Sequence, residues 1–195
     1  MKKIVLATKN PGKLREFKKA FENLPYEIVS LSDFGELPDA DETGSTFLEN
    51  ARIKAKFFMD ILKLPCLADD SGLEVEKLNG APGINSARYA GFHADDGTNN
   101  RFLMSELEKI NVTESAANYT CAIVFADPNG VELHSEGKLF GTIKKIPRGT
   151  NGFGYDPYFY VGDKTVAEMT LDEKEKISHR GKAIREIVHL MEDLT

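Results

Sequence analysis

The sequence predicts an α/β fold with parallel strand pairs, and three observations predict it. Strand and helix signals alternate as β-α-β-α-β through the first third of the chain. The 195 residues suffice for one domain with a sizeable core. Hydrophobic residues make up 41% and charged residues 29%, an ordinary globular balance, with no internal repeat, linker or low-complexity tract. A single domain over 1–195 is therefore expected, with room for two lobes.

Residues 3–7 (KIVLA) read as a buried strand. Residues 11–24 follow as an amphipathic helix with Leu14, Phe17, Phe21 and Leu24 on its apolar stripe, Asn10 as cap and Pro11 at the first helical position. YEIVSL at 26–31 alternates as a second strand, and 33–45 is acidic and turn-rich. Thr46 and Glu49 form a capping-box pattern ahead of a helix to about residue 63, which Pro65 closes. CLA at 66–68 begins a short buried strand ending at Asp69–Asp70. The stretch 79–100 is rich in Gly, Asn and Asp, and loops this long are usually functional or interfacial. A helix is expected over roughly 101–109, a hairpin from 118–126 and 131–139 around DPNG, and a strand at 158–161. The last helix starts after Ser178, with Ile184, Ile187, Val188, Met191 and Leu194 on one side.

Composition excludes several classes. A formal net charge of −6 argues against the broad basic surface of a nucleic-acid binder. It leaves room for a phosphate ligand, because a few convergent lysines and a cation can dominate locally. No apolar run approaches the roughly 18 residues of a membrane span. The first apolar run is too short for a signal peptide. Cys66 and Cys121 both sit in apolar runs, the pattern of buried reduced thiols, so a cytoplasmic location is expected.

Five segments carry candidate chemistry. In TKNPGK at 8–13, a strand leads through a Gly-containing turn to a helix start, where backbone N–H groups and the helix dipole can hold an anion. Lys9 and Lys13 add charge there, and Thr8 and Asn10 add donors, although a plain capped helix would look the same. G-x-x-x-x-G-K-[ST] is absent from the chain. Glu42 and the acids of ADDSG offer a minimal magnesium site, since this ion takes one or two protein carboxylates plus waters and phosphate oxygens. Asp69 and Asp70 point to opposite faces of an extended backbone, so one of them suffices for such a site. Asn50 and Lys54 lie four apart on one side of a helix, from which Lys54 can reach a phosphate oxygen. In RGTNGFGYDP at 148–157, Gly152 and Gly154 permit close approach to a ligand, Phe153 offers a stacking face and Asp156 an acceptor. His179 and Arg180 occupy the first turn of the last helix, where the dipole disfavours cations, so other groups must engage their donors. Arg148 and Lys174 are candidates to join them.

Taken jointly, T-x-N-x-x-K near the N-terminus, ETGSTFLENARIKA at 42–55, LADDSGLEV at 67–75, GAPGINSARYAG at 80–91, GTNGFGYDP at 149–157 and EKEKISHRGKA at 173–183 resemble the inosine triphosphate pyrophosphatase family. The likeness runs from about residue 3 to 190, in order. It implies a mixed, elongated sheet flanked by helices, two lobes with a central cleft, and a homodimer. It also implies Mg²⁺-dependent cleavage, with Mn²⁺ as the alternative ion, between the α and β phosphates of ITP, dITP and XTP. A nucleoside monophosphate and pyrophosphate result, and deaminated purines leave the nucleotide pool. By the resemblance, Thr8, Asn10 and Lys13 match the triphosphate-binding turn, and Glu42 and Asp70 the metal-binding acids, with Asp70 also the base. Lys54 and Ser71 match phosphate contacts. Phe153, Gly154, Tyr155 and Asp156 match the nucleoside pocket, and Lys174, His179 and Arg180 the surroundings of the base.

Three other functions compete with this expectation. A related house-cleaning pyrophosphatase would prefer another base, such as a modified pyrimidine. A haloacid-dehalogenase-type phosphatase wants two aspartates one residue apart after the first strand, whereas here the acids are adjacent and later. A non-hydrolysing nucleotide-binding module would not need the acids and the lysines together.

Overall fold

A computed structural model describes residues 2–192. The chain runs β1 (Lys2–Leu6), α1 (Pro11–Ala20), β2 (Tyr26–Ser30), α2 (Phe47–Leu62), β3 (Cys66–Val75), α3 (Asp96–Lys109), β4 (Glu114–Ala126), β5 (Glu132–Lys144), β6 (Phe159–Val161), β7 (Lys164–Thr165), α4 (Leu171–Ile177) and α5 (His179–Glu192). The strand order is β2-β1-β3-β4-β5-β6-β7. β1 pairs in parallel with β2 and with β3, while β5, β6 and β7 pair antiparallel, so the seven-stranded sheet is mixed. Among the described residues no helix is long and apolar enough to cross a membrane.

Two compact units are distinguishable. Among the described residues the first comprises 2–70, 121–137 and 180–192; the second comprises 71–120 and 138–179. The core of the first gathers Ile4 and Leu6 of β1, Phe17 and Phe21, Ile28, Leu67, the β4 residues Cys121, Ile123 and Phe125, and Ala183, Ile184, Ile187 and Met191 of α5. Each helical contributor recurs at three or four positions, so one stripe of each helix is buried against apolar strands. Leu194, expected on the same side of α5, lies outside the described residues. In the second unit Leu73 and Val75 of β3 meet Leu103 and Leu107 of α3, Ala117 and Tyr119 of β4, Leu139 and Ile143 of β5, and Tyr155, Phe159 and Val166.

Local chemistry explains most element boundaries. Asn10 accepts the N–H groups of Gly12 (2.8 Å) and Lys13 (3.2 Å), capping α1 as expected with Pro11 at its first position. Thr46 accepts the N–H of Glu49 at 3.1 Å, but the reciprocal bond of a capping box goes one residue earlier, from Ser45 N–H to Glu49.

Two expectations need correction, and one helix was not foreseen. β3 does not stop at the acids but continues to Val75, because Leu73 and Val75 alternate into the second core; Asp69 and Asp70 therefore lie mid-strand. α3 starts at Asp96 rather than near residue 101, capped by Asp95, which accepts Thr98 N–H at 2.6 Å. Its first turn is polar, yet Asn99 and Asn100 are buried because their carboxamides satisfy loop backbone at Ala87, Ala90 and Gly154. α4 was not signalled by apolar periodicity; a Thr170–Glu173 capping box nucleates it.

Candidate active site

α1, α2, β3, α5 and the segment before α2 bring one group of charged side chains together in the first unit. Asp69 is 1% exposed, and its Oδ2 receives Lys13 Nζ at 2.8 Å and Arg180 Nε at 3.3 Å. Arg180 Nη1 reaches Glu16 Oε2 at 3.3 Å. Two carboxylates thus answer the question raised by a cation at a helix start. Burial alone would raise the Asp69 pKa, but Lys13, Arg180 and Lys54 outweigh it and hold the carboxyl well below its usual range.

Lys54 extends from α2 to the other half of this cluster. Its Nζ lies 2.9 Å from Glu42 Oε1 and donates to the Asp69 carbonyl at 3.2 Å. Burial works against its charge, yet the attraction of Asp69 and Glu42, with Asp70 contributing, raises its pKa overall. Asp70 behaves in the opposite way. Burial pushes its pKa up to about 6, opposed by Lys54 and by a hydrogen bond from Asn50 and reinforced by repulsion from Glu42 and Asp69. A carboxylate poised near neutrality is suited to accept a proton from water.

The turn before α1 differs from a simple anion cradle. Two of the amides at the helix start are already held by the Asn10 side chain, and Asn10 N–H bonds Thr8 Oγ1 at 3.1 Å. Lys9 pairs at 2.8 Å with Asp39, both largely exposed, and is not drawn into the acidic cluster. Lys13 is.

The second unit holds another group, organised by Asp156. Its Oδ2 accepts Phe153 N–H at 3.0 Å and Lys174 Nζ at 2.5 Å, and its Oδ1 accepts the Tyr119 hydroxyl at 3.1 Å. The turn needs glycine at 152, where φ is +79° and an added Cβ would sit 2.1 Å from Asp156 Oδ2. Gly154 is anchored to α3 through its N–H to Asp96 (2.7 Å) and its carbonyl to Asn100 (2.9 Å). Tyr155 points inward, its hydroxyl donating to the Ser86 carbonyl at 2.8 Å. Phe153 stays 49% exposed, with Lys174 Nζ 4.6 Å from its ring centre, a cation–π distance. Tyr119 is stacked between Phe159 (4.5 Å) and His179 (4.9 Å). Arg148 is engaged elsewhere, by Glu168 at 2.8 Å. Ser71 follows Asp70 on β3 and is partly exposed.

The donor set decides whether a divalent cation suits the acidic cluster. Among the described residues no group of three His, Cys, Asp or Glu side chains is arranged to ligate a metal. Glu42 and Asp70 nevertheless lie close enough to repel one another, and Asp69 Oδ1 is buried with no hydrogen-bond partner. Two neighbouring carboxylates with a deficit of positive charge fit a hard ion that keeps waters and takes its remaining ligands from phosphate.

Sequence reasoning missed Glu16 and Tyr119 as parts of these clusters. Glu16 carried no motif, and Tyr119 read as one more alternating residue of a strand. Asn50 was expected on the same side of α2 as Lys54, and the structure adds its bonds to Gly44 and Asp70.

Comparison with known proteins adds an independent line. The Ham1 family model matches residues 4–190. A dITP/XTP pyrophosphatase from Geobacter sulfurreducens is 47% identical over 186 residues, covering 94% of each chain. Its counterpart from Bacillus licheniformis is 45% identical over 194 residues, covering 98% of this chain and 99% of that one. Among solved structures, a HAM1 protein from Coxiella burnetii superposes with a TM-score of 0.93 at 41% identity, covering 99% of this chain and 100% of that one. The Staphylococcus aureus Ham1 protein gives 0.90 at 40% identity over the full length of both chains.

Proposed function

The chain belongs to the Ham1 family, and from that premise we propose that it hydrolyses dITP, XTP and ITP to the nucleoside monophosphate and pyrophosphate. One observation carries the reading at the level of chemistry: Asp70, pushed up to about 6, beside Glu42 and Lys54. The relatives at 45–47% identity that are named dITP/XTP pyrophosphatase support the substrate class.

In the proposed mechanism Asp70 takes a proton from water. The water oxygen attacks the α-phosphorus, the bond from that phosphorus to the bridging oxygen breaks, and pyrophosphate leaves. Lys54 and Lys13 offset charge on the phosphate oxygens as the transition state forms. Glu42 and Asp70 would hold Mg²⁺, with Mn²⁺ as the alternative; when bound, the ion neutralises phosphate charge and lowers the pKa of its water. Arg180, directed at Asp69 and Glu16, anchors the buried carboxylate that Lys13 also contacts. This favours a supporting role over a direct base contact. Thr8, Asn10 and Ser71 complete the proposed phosphate contacts. Lys9 is the weakest member of that set, being held by Asp39.

For the nucleoside, the half-exposed Phe153 ring is the stacking partner of a base, Gly154 and Asp156 shape the turn that presents it, and Tyr155 fixes that turn from beneath. Lys174 and His179 supply donors. Inosine and xanthosine carry an acceptor oxygen at purine position 6, where adenosine carries an amino donor. A donor facing that position rejects adenine by leaving two donors opposed, a mismatch worth orders of magnitude in kcat/KM. We propose a homodimer, as the family resemblance implies, and a cytoplasmic location, as Cys66 and Cys121 in apolar runs support. Profiling at equal concentrations of ITP, dITP, XTP, ATP, GTP and dUTP tests the proposal. Release of pyrophosphate with preference for the first three is expected. Preference for ATP or dUTP, or orthophosphate as first product, rejects it.

A further inference from the structure

Glu42 lies in a segment without regular structure, and α2 is what holds that segment in place. Residues 46, 49, 50 and 54 recur along one side of the helix. Glu49 Oε2 accepts both the N–H and the hydroxyl of Ser45, each at 2.7 Å. Asn50 Oδ1 accepts Gly44 N–H at 2.8 Å, and Lys54 pairs with Glu42 at 2.9 Å. Asn50 is 1% exposed. With its oxygen turned to Gly44, its amide nitrogen is the group that hydrogen-bonds the Asp70 side chain. The fit is close: a Cβ on Gly44 would lie 2.7 Å from Asn50 Oδ1.

We infer that Asn50 is a positioning residue that ties the Glu42-bearing segment to Asp70, so that one buried carboxamide sets the relation of both acids. The inference rests on the proposed roles of Glu42 and Asp70. The carboxamide is suited to this because it is uncharged: it donates to one partner and accepts from the other, whereas a carboxylate would repel Asp70 and a hydroxyl is too short to span both. Partners that orient metal ligands commonly cost about 10–100-fold in metal affinity or activity when removed.

The test uses Asn50→Ala in the full chain, with kcat and KM for ITP and binding of Mn²⁺ alone followed by electron paramagnetic resonance. A kcat lowered about 10–100-fold with KM within about threefold, and Mn²⁺ affinity weakened about tenfold, are expected. A kcat within about twofold of the parent, or an unchanged Mn²⁺ affinity, overturns the inference. Should Asn50→Ala fail to fold, Gly44→Ala attacks the same contact from the other side. It is expected to change kcat and Mn²⁺ affinity in the same direction by a smaller factor, and unchanged values overturn the inference equally. Asp70→Asn is assayed in parallel. Turnover surviving in that variant would remove the underlying reading, whereas turnover lost there but retained in Asn50→Ala removes the positioning role alone.

Discussion

Lys54 Nζ stands 2.9 Å from Glu42 Oε1 and feels Asp69 and Asp70 as well, so one amine faces Glu42 and Asp70 while Lys13 and Arg180 share Asp69 with it. Replacement by methionine would leave those acids repelling one another in a largely buried site. Lys54→Met is expected to cost about 1–3 kcal/mol at pH 7.5, below the full value of a buried pair because Glu42 is partly exposed. The loss should shrink at pH 5, where Asp70 carries a proton. Urea unfolding at the two pH values checks this, and turnover should fall at least about 100-fold.

Asp70 titrates in the folded state near 6, against an ordinary value of 3.8. A carboxyl with a raised folded pKa destabilises the fold when ionised. Its full stability is present below pH 3.8 and is lost as pH rises through about 6. Asp70→Asn removes that loss. In metal-free buffer the variant should be more stable than the parent at pH 8 by up to about 3 kcal/mol, and about equal at pH 4. Thermal melts across that window decide it. The same variant should bind nucleotide and turn over almost none, and unaltered turnover defeats the assignment of Asp70.

Lys13 is bound to Asp69, whose pKa is depressed, so this pair stabilises the fold above about pH 4 and loses that contribution as pH falls below it. Lys13→Ala should raise the pH midpoint of acid unfolding. It should also weaken productive binding of triphosphate far more than binding of the monophosphate. Acid titration by circular dichroism and inhibition by the monophosphate measure the two effects.

Tyr119→Phe keeps the stack on Phe159 and His179 but deletes the donor to Asp156. A stability loss of about 1 kcal/mol is expected, with KM for ITP raised more than kcat is lowered. Gly152→Ala places a methyl against Asp156 at a positive φ and should be the more damaging of the two. Comparing both variants on ITP and GTP shows whether the turn governs base choice.

Burial pushes the thiols of Cys66 and Cys121 up to about 12. Both should therefore alkylate at least about tenfold more slowly at pH 8 in the native protein than in denaturant, and mass spectrometry of iodoacetamide adducts reads this directly.

Much was legible because it is local. Asn10 and Pro11 announce α1, Thr46 announces α2, and the alternation of strand and helix signals gives the parallel β1–β2 and β1–β3 pairs. The candidate segments were legible too, since glycines, paired acids and a cation at a helix start are unusual on their own. The end of β3 was not, because Leu73 and Val75 declare themselves core residues only against α3 and β4. Nor was the start of α3, whose buried asparagines look like loop residues until their backbone partners are placed.

By itself the sequence determined the family, the alternation of elements and the residue types that chemistry requires. Tertiary structure decided which charges meet: Lys13 with Asp69 rather than with solvent, Arg180 with Asp69 and Glu16, Lys9 with Asp39, and Asn50 linking Gly44 to Asp70. The physical reason is range. Caps and periodicity act over a few residues of chain, whereas an ion pair or a buried amide depends on desolvation and distance, which exist only once remote segments have packed.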